Sequence, residues 1–180
     1  KNIPLIFESN KYKIINLEKN IGKGGAIRKS FLSVEGNYIL LIDSDMEYNS
    51  SDALEMYELI KSSKTIDVLF GSRYIGGKIQ HKIYFFNDLA VRINTFIFNV
   101  LFVQSISDLH CGTKIFRKKI LNKLNLSIND FGFEIDICSQ ISKNRIKIYE
   151  YGISYFSRTK EEGKKITVYD GLLSYYYLFK

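Results

Sequence analysis

The sequence predicts an α/β fold, an open sheet flanked by helices. Two runs, Tyr38–Ile42 and Asp67–Phe70, are bounded by turn residues and charges and read as strands buried on both faces. Between them, Ala53, Met56, Tyr57 and Ile60 recur at the spacing of one helix face. Strand, helix and strand within about thirty residues form a βαβ unit, which argues for parallel strands. A chain of 180 residues, 46% hydrophobic and 25% charged, is one domain with a sizeable core.

The elements follow in order. Lys13–Leu17 reads as a short strand, followed by a glycine-rich turn at Asn20–Gly25. Ile27, Phe31 and Val34 mark a helix that Gly36-Asn37 stops. After the strand at 38–42, Asn49-Ser50-Ser51 offers N-caps, with Asp52 and Glu55 spaced as a capping box. The second strand ends in Gly71-Ser72-Arg73. A long helix spans Phe85–Val103, then a polar segment, Ser105–Lys114, leads to a short strand or turn at Lys114–Arg117 and a further helix. Phe133, Ile137 and Ile141 mark another helix, and Arg145–Glu150 and Ile153–Phe156 read as strands split by Gly152. Arg158–Lys165 is polar and charged. The tyrosine- and leucine-rich segment from Val168 to Lys180 suits a helix at a membrane interface. The chain opens on Lys1 rather than Met, and is expected to be a fragment lacking an N-terminal part.

The net charge of +7 suits an anionic partner such as a nucleotide or a phospholipid surface, or a solvated basic surface. No recognised nucleic-acid motif accompanies it, which argues against nucleic acid. Cys111 and Cys138 are expected as free thiols in a reducing compartment, and with His81 and His110 they do not form a zinc pattern. No signal-type segment and no uninterrupted 18-residue apolar run occurs. Asn87, Asp88, Arg92, Asn94 and Asn99 interrupt the 84–103 stretch, which fits a core or a membrane surface better than a bilayer crossing.

Asp43-Ser44-Asp45 ends the strand at 38–42, where open α/β sheets bind ligands. Two carboxylates one residue apart can share a hard cation with substrate phosphates, or can be ordinary loop acids. Gly22-Lys23-Gly24-Gly25 could present N–H groups and a lysine to a diphosphate, or could simply lead into a helix. Asp108, among small polar residues, suits a pocket wall or a turn. Glu134 begins a helix, where a carboxylate also favours the dipole.

Together these segments resemble family 2 glycosyltransferases of the branch with dolichyl-phosphate mannose synthase and polyprenyl-phosphate glycosyltransferases. The matching pieces are Asn20–Arg28, Ile42–Tyr48, Phe70–Arg73, Asp108–Lys114 with Phe116-Arg117, Phe131–Glu134, and Arg158 with Glu162–Ile166. The resemblance implies a GT-A fold with its first strands missing, residues 1–166, followed by the amphipathic segment 167–180. It implies an inverting transfer from a UDP- or GDP-sugar, with Mg²⁺ or Mn²⁺ as cofactor. Asp43, Asp45 and Glu47 are the implied metal ligands; Asp43, Asp45, Lys23 and Arg73 would hold the donor diphosphate. Arg117, Arg158 and Lys164 would hold the acceptor, and Asp108 is the expected catalytic residue, the base where the acceptor is a hydroxyl. The basic 158–165 segment, the 84–103 helix and the aromatic tail point to a polyprenyl or dolichyl phosphate acceptor, with the protein peripheral at the cytoplasmic face of a membrane. The competing readings are a sugar-nucleotide nucleotidyltransferase and a non-catalytic binding fragment.

Overall fold

The computed structural model describes residues 14–159, 161–163 and 168–179. Its elements are α1 (Gly22–Phe31), β1 (Tyr38–Leu41), α2 (Ser50–Ser62), β2 (Val68–Ser72), β3 (Gln80–His81), α3 (Phe85–Phe102), β4 (Lys114–Arg117), α4 (Phe133–Lys143), β5 (Tyr149–Gly152), β6 (Tyr155–Phe156) and α5 (Val168–Leu178), with a 3₁₀ segment at Lys118–Lys123. The expected α/β class is borne out.

The main sheet has the order β1-β4-β2-β5. β1 and β2 both pair antiparallel with β4, so they run parallel to each other without touching, and β5 pairs parallel with β2. The βαβ reading therefore holds for direction, while β4 is inserted between the two strands. The polar 105–113 segment crosses the C-terminal ends of the strands and feeds β4 in from that side. Residues 14–17 carry no regular structure, in place of the short strand expected there. The glycines at 22–25 lie inside the first turn of α1 rather than before it.

Strand alternation sorts the core into two layers. Val68, Phe70, Phe116 and Ile39 face Phe98 of α3, Ile137 and Ile141 of α4 and Leu178 of α5. Leu69 and Ile115 face Met56 and Ile60 of α2. α5 is thus built into the same core as the sheet, with Tyr177 against Gly132 at the start of α4. Asn49 caps α2 through Ser51 N, 3.0 Å away. The capping-box expectation for Asp52 and Glu55 gives way to longer-range pairs: Asp52 accepts from Ser154 N, and both carboxylates meet Lys78.

Two helix ends place a side-chain-bearing residue in the left-handed region. α3 ends on Val103 (φ 51°). α4 ends with Ile146 N donating to Ile141 O and Arg145 N to Ser142 O, with Arg145 at φ 55°. This is the hydrogen-bond pattern of a Schellman cap, where glycine is usual. It explains why the strand expected from residue 145 begins only at Tyr149: residues 145–146 close a helix first.

Candidate active site

The 43–48 loop leaves β1 at the sheet end that the 107–113 segment crosses. Asp43 is held by Lys23 of α1 (Nζ–Oδ1 2.8 Å) and Asp45 by Arg158 (Nη2–Oδ2 2.9 Å). Both aspartate side chains keep about a third of their surface exposed. Gly112 explains how Asp43 fits. A Cβ there would lie 2.2 Å from Asp43 Oδ2, so the carboxylate rests on bare backbone.

Glu47 is buried and shares the Arg158 guanidinium with Asp45, its Oε1 lying 3.7 Å from Arg158 Nε. It accepts from Tyr155 Oη (2.9 Å) and from the Arg158 backbone N–H (3.0 Å). Arg158 leaves its buried Nε without a hydrogen-bond partner. Among the described residues no group of three or more acidic, His or Cys side chains converges on a metal position. Asp43 and Asp45 still fit a divalent cation whose remaining ligands are diphosphate oxygens and water, because Mg²⁺ is commonly bound by one or two carboxylates plus phosphates.

A second layer of charge lies beneath. Lys23 also meets Glu134 (2.8 Å), and Glu134 meets Lys114 of β4 (2.5 Å). Lys114 is fully buried and donates as well to Cys111 O. Burial opposes ionisation of Glu134, but Lys114 and Lys23 overcome it and hold its pKa down at about 2. Burial likewise opposes the charge on Lys23; Glu134 and Asp43 outweigh it and raise its pKa above the ordinary lysine value. Four alternating charges therefore run from the core to the loop: Lys114, Glu134, Lys23, Asp43. Lys114 and Glu134 were not among the expected site residues. The signal was a lysine two residues before core-facing Phe116 on the same short strand, hence on the same face, a position that demands a buried partner.

Asp108 is fully buried and accepts three bonds from Arg73, through N (3.0 Å), Nε (2.7 Å) and Nη2 (2.8 Å). Burial would raise its pKa, but the guanidinium holds it below the usual carboxylate range. Arg73, expected at the donor diphosphate, is clamped in this pair. The loop is fixed in turn by Glu150, which accepts from Ser107 N and Oγ and from Asp108 N. Arg117, expected at the acceptor, lies at the opposite end of the sheet, paired in register with Tyr38 at the start of β1. There its guanidinium donates to Ile60 O, Ser63 O and Ile66 O and meets Asp67. It staples strand β4 to the end of α2. Lys164 lies outside the described residues. The structure thus brings together Lys23, Asp43, Asp45, Glu47 and Arg158, with Asp108 and Arg73 behind them.

Residues 4–124 match the model of glycosyl transferase family 2. The chain belongs to that family. It is 28% identical over 157 residues to the dolichyl-phosphate beta-glucosyltransferase of Saccharomyces cerevisiae, covering 80% of this chain and 47% of that protein. It is 29% identical over 168 residues to the Homo sapiens protein of the same name, covering 89% and 51%. The chain spans about half the length of these curated relatives. Among solved structures, glucosyl-3-phosphoglycerate synthase from Mycobacterium tuberculosis in complex with uridine-diphosphate superimposes with a TM-score of 0.60 at 13% identity, covering 88% of this chain and 54% of that one. The same enzyme with Mn²⁺, uridine-diphosphate and phosphoglyceric acid gives 0.57 at 15%, covering 78% and 48%. These likenesses show the fold, a GT-A arrangement.

Proposed function

We propose that this chain carries the diphosphate and acceptor side of an inverting glycosyltransferase that moves a sugar from a UDP- or GDP-sugar to a polyprenyl or dolichyl phosphate. The observation that carries the reading is the Asp43/Asp45 pair at the end of β1, a third exposed and balanced by one cation each, in a family 2 chain. Asp43 and Asp45 would hold Mg²⁺ or Mn²⁺, which neutralises charge on the leaving diphosphate. Lys23 then turns from Asp43 to the diphosphate oxygens. Arg158, whose guanidinium lies between Asp45 and Glu47, and Lys164 meet the acceptor phosphate. Glu47 orients Arg158 through its backbone N–H rather than binding the ion.

The state of Asp108 favours a phosphate acceptor over a hydroxyl. A hydroxyl needs a base, and a buried carboxylate clamped by a guanidinium below its usual pKa is a poor one. A lipid phosphate is already anionic near neutral pH, so positioning and charge stabilisation suffice. Asp108 in this reading fixes Arg73 and the 107–113 segment. The dolichyl-phosphate relatives and the exposed apolar face of α3 support a lipid acceptor reached at a membrane surface.

The test uses the protein with UDP- and GDP-sugars, polyprenyl phosphate and Mn²⁺ or Mg²⁺. Asp45→Ala is expected to abolish metal-dependent release of nucleoside diphosphate while its circular dichroism stays native. Normal turnover by that variant, or pyrophosphate release from a nucleoside triphosphate, would overturn the reading.

A further inference from the structure

The glycines at the start of α1 bring that helix down on the backbone leading into α4. A Cβ on Gly22 would lie 2.3 Å from Asn129 O, and one on Gly24 would lie 2.3 Å from Ile128 O and 2.9 Å from Phe133 Cβ. Gly22 also takes φ 78°, a left-handed value that a side chain resists. Gly25 N donates to Asn129 O at 3.0 Å. The 127–130 segment is fixed to α4 in its turn. Asp136 accepts from Ser127 N and Ile128 N, and Asp130 accepts from Gly132 N. Backbone packing therefore holds Lys23 of α1 against Glu134 of α4. Asp43 belongs to a different element, the loop after β1.

The two contacts of Lys23 differ accordingly. It meets both oxygens of Asp43, at 2.8 and 3.1 Å, and these are the oxygens a divalent ion would use. Ammonium and ion carry the same sign, so they compete for that carboxylate. Lys23 also meets Glu134 Oε1 at 2.8 Å, while Oε2 is taken by Lys114. Lys114 is fully buried and donates to Cys111 O as well, so it cannot follow Lys23 outward. The Glu134 side chain is 7% exposed against 33% for Asp43. The contact that water screens yields first, and the buried one stays. Arg158 repeats the arrangement on the other aspartate, with Asp45 at 2.9 Å and the buried Glu47 at 3.7 Å.

We infer that Glu134 is a positioning residue that gives Lys23 a second seat. Lys23 yields Asp43 to a divalent ion without leaving the site, and Glu134 keeps its ammonium beside the diphosphate. Lys23 thus opposes the ion alone and assists it once a diphosphate is present. This role rests on the proposed metal–diphosphate reading of Asp43 and Asp45.

Mn²⁺ binding to the chain is followed by the electron paramagnetic resonance signal of the free ion, with and without uridine diphosphate. Lys23→Met should bind Mn²⁺ alone about fivefold tighter, the most that an exposed pair is usually worth. It should bind uridine diphosphate with Mn²⁺ about tenfold more weakly, the loss of one hydrogen bond to a charged group. A general loss of structure would weaken both. Glu134→Gln leaves Asp43 as the carboxylate for Lys23, so Mn²⁺ alone should bind more weakly. In Lys23→Met/Glu134→Gln that penalty should vanish, whereas a plain field effect of the glutamate would persist and add. Should Glu134→Gln not fold, Glu134→Asp takes its place, since it retains the charge but lacks the reach for both lysines.

Unchanged or weaker binding of Mn²⁺ alone by Lys23→Met overturns the inference. So does a Glu134 penalty of the same size with and without Lys23. Asp45→Ala separates that failure from failure of the proposed function. If it abolishes Mn²⁺ binding while the Lys23 and Glu134 variants change nothing, only the second seat falls. If Asp45→Ala binds Mn²⁺ as the native chain does, or the native chain binds none, the metal–diphosphate reading falls and the second seat with it.

Discussion

Two layers of ion pairs occupy the same end of the sheet, and they differ in what water can reach. The outer pairs, Asp43–Lys23 and Asp45–Arg158, involve side chains 21 to 33% exposed. The inner pairs, Asp108–Arg73 and Glu134–Lys114, involve side chains at most 12% exposed. Exposed pairs contribute little and exchange partners easily, because solvent screens them. Buried pairs are costly to break, because the survivor is left as an unpaired charge. In the proposed function ligand exchange therefore falls to the outer aspartates, and the inner pairs hold the scaffold. Lys23 touches both layers, through Asp43 and Glu134.

The largest expected effect comes from breaking the inner layer. Glu134→Gln leaves Lys114 charged and buried without its carboxylate, and should destabilise the fold by about 3–5 kcal/mol in urea unfolding. Asp45→Asn, which removes an outer charge, should change stability by less than about 1 kcal/mol. Equal losses from the two would erase the distinction between the layers. Acid sharpens it. Glu134 has a folded pKa of about 2 against an ordinary 4.5, so its contribution is complete above pH 4.5 and is lost as pH falls toward 2. Asp108, also depressed, acts in the same direction. Stability measured across that window should fall in the native chain and fall less steeply in Glu134→Gln. Parallel slopes would mean that Glu134 is not held ionised by the fold.

The comparison also marks where local sequence stops being informative. The Asp-Ser-Asp triplet, the strand before it and the helix after it are local patterns, and they were legible as such. The α/β class followed from the same runs. The insertion of β4 between β1 and β2 was not, because strand neighbourhood depends on how the 105–113 segment crosses the sheet. The Lys114–Glu134 pair joins residues twenty apart on different elements, and only the lysine's place in the strand alternation hinted at it. Arg117 shows the opposite case. Its side chain suits a phosphate, but its register opposite Tyr38 puts it at the wrong end of the sheet. The left-handed Val103 and Arg145 were hidden because helix ends are usually marked by glycine, and neither position has one.

The smallest change with a readable outcome is one methyl group between the layers. Gly112 lies under Asp43 and its N–H donates to Tyr48 Oη at 3.2 Å. In Gly112→Ala the new Cβ would fall 2.2 Å from Asp43 Oδ2 and 2.8 Å from its Cγ, so the carboxylate must move. Asp43 is a third exposed and has room to swing outward, so the fold should lose no more than about 1 kcal/mol. The swing takes the carboxylate off Lys23 and out of line with Asp45. In the proposed transfer reaction this should raise the Mn²⁺ concentration for half-maximal rate about tenfold, which corresponds to ~1.4 kcal/mol of lost metal affinity. The thermal midpoint should stay within a few degrees of the native value. A native metal titration in Gly112→Ala would show that Asp43 need not rest on bare backbone to act, and the outer layer would then be looser than its geometry implies.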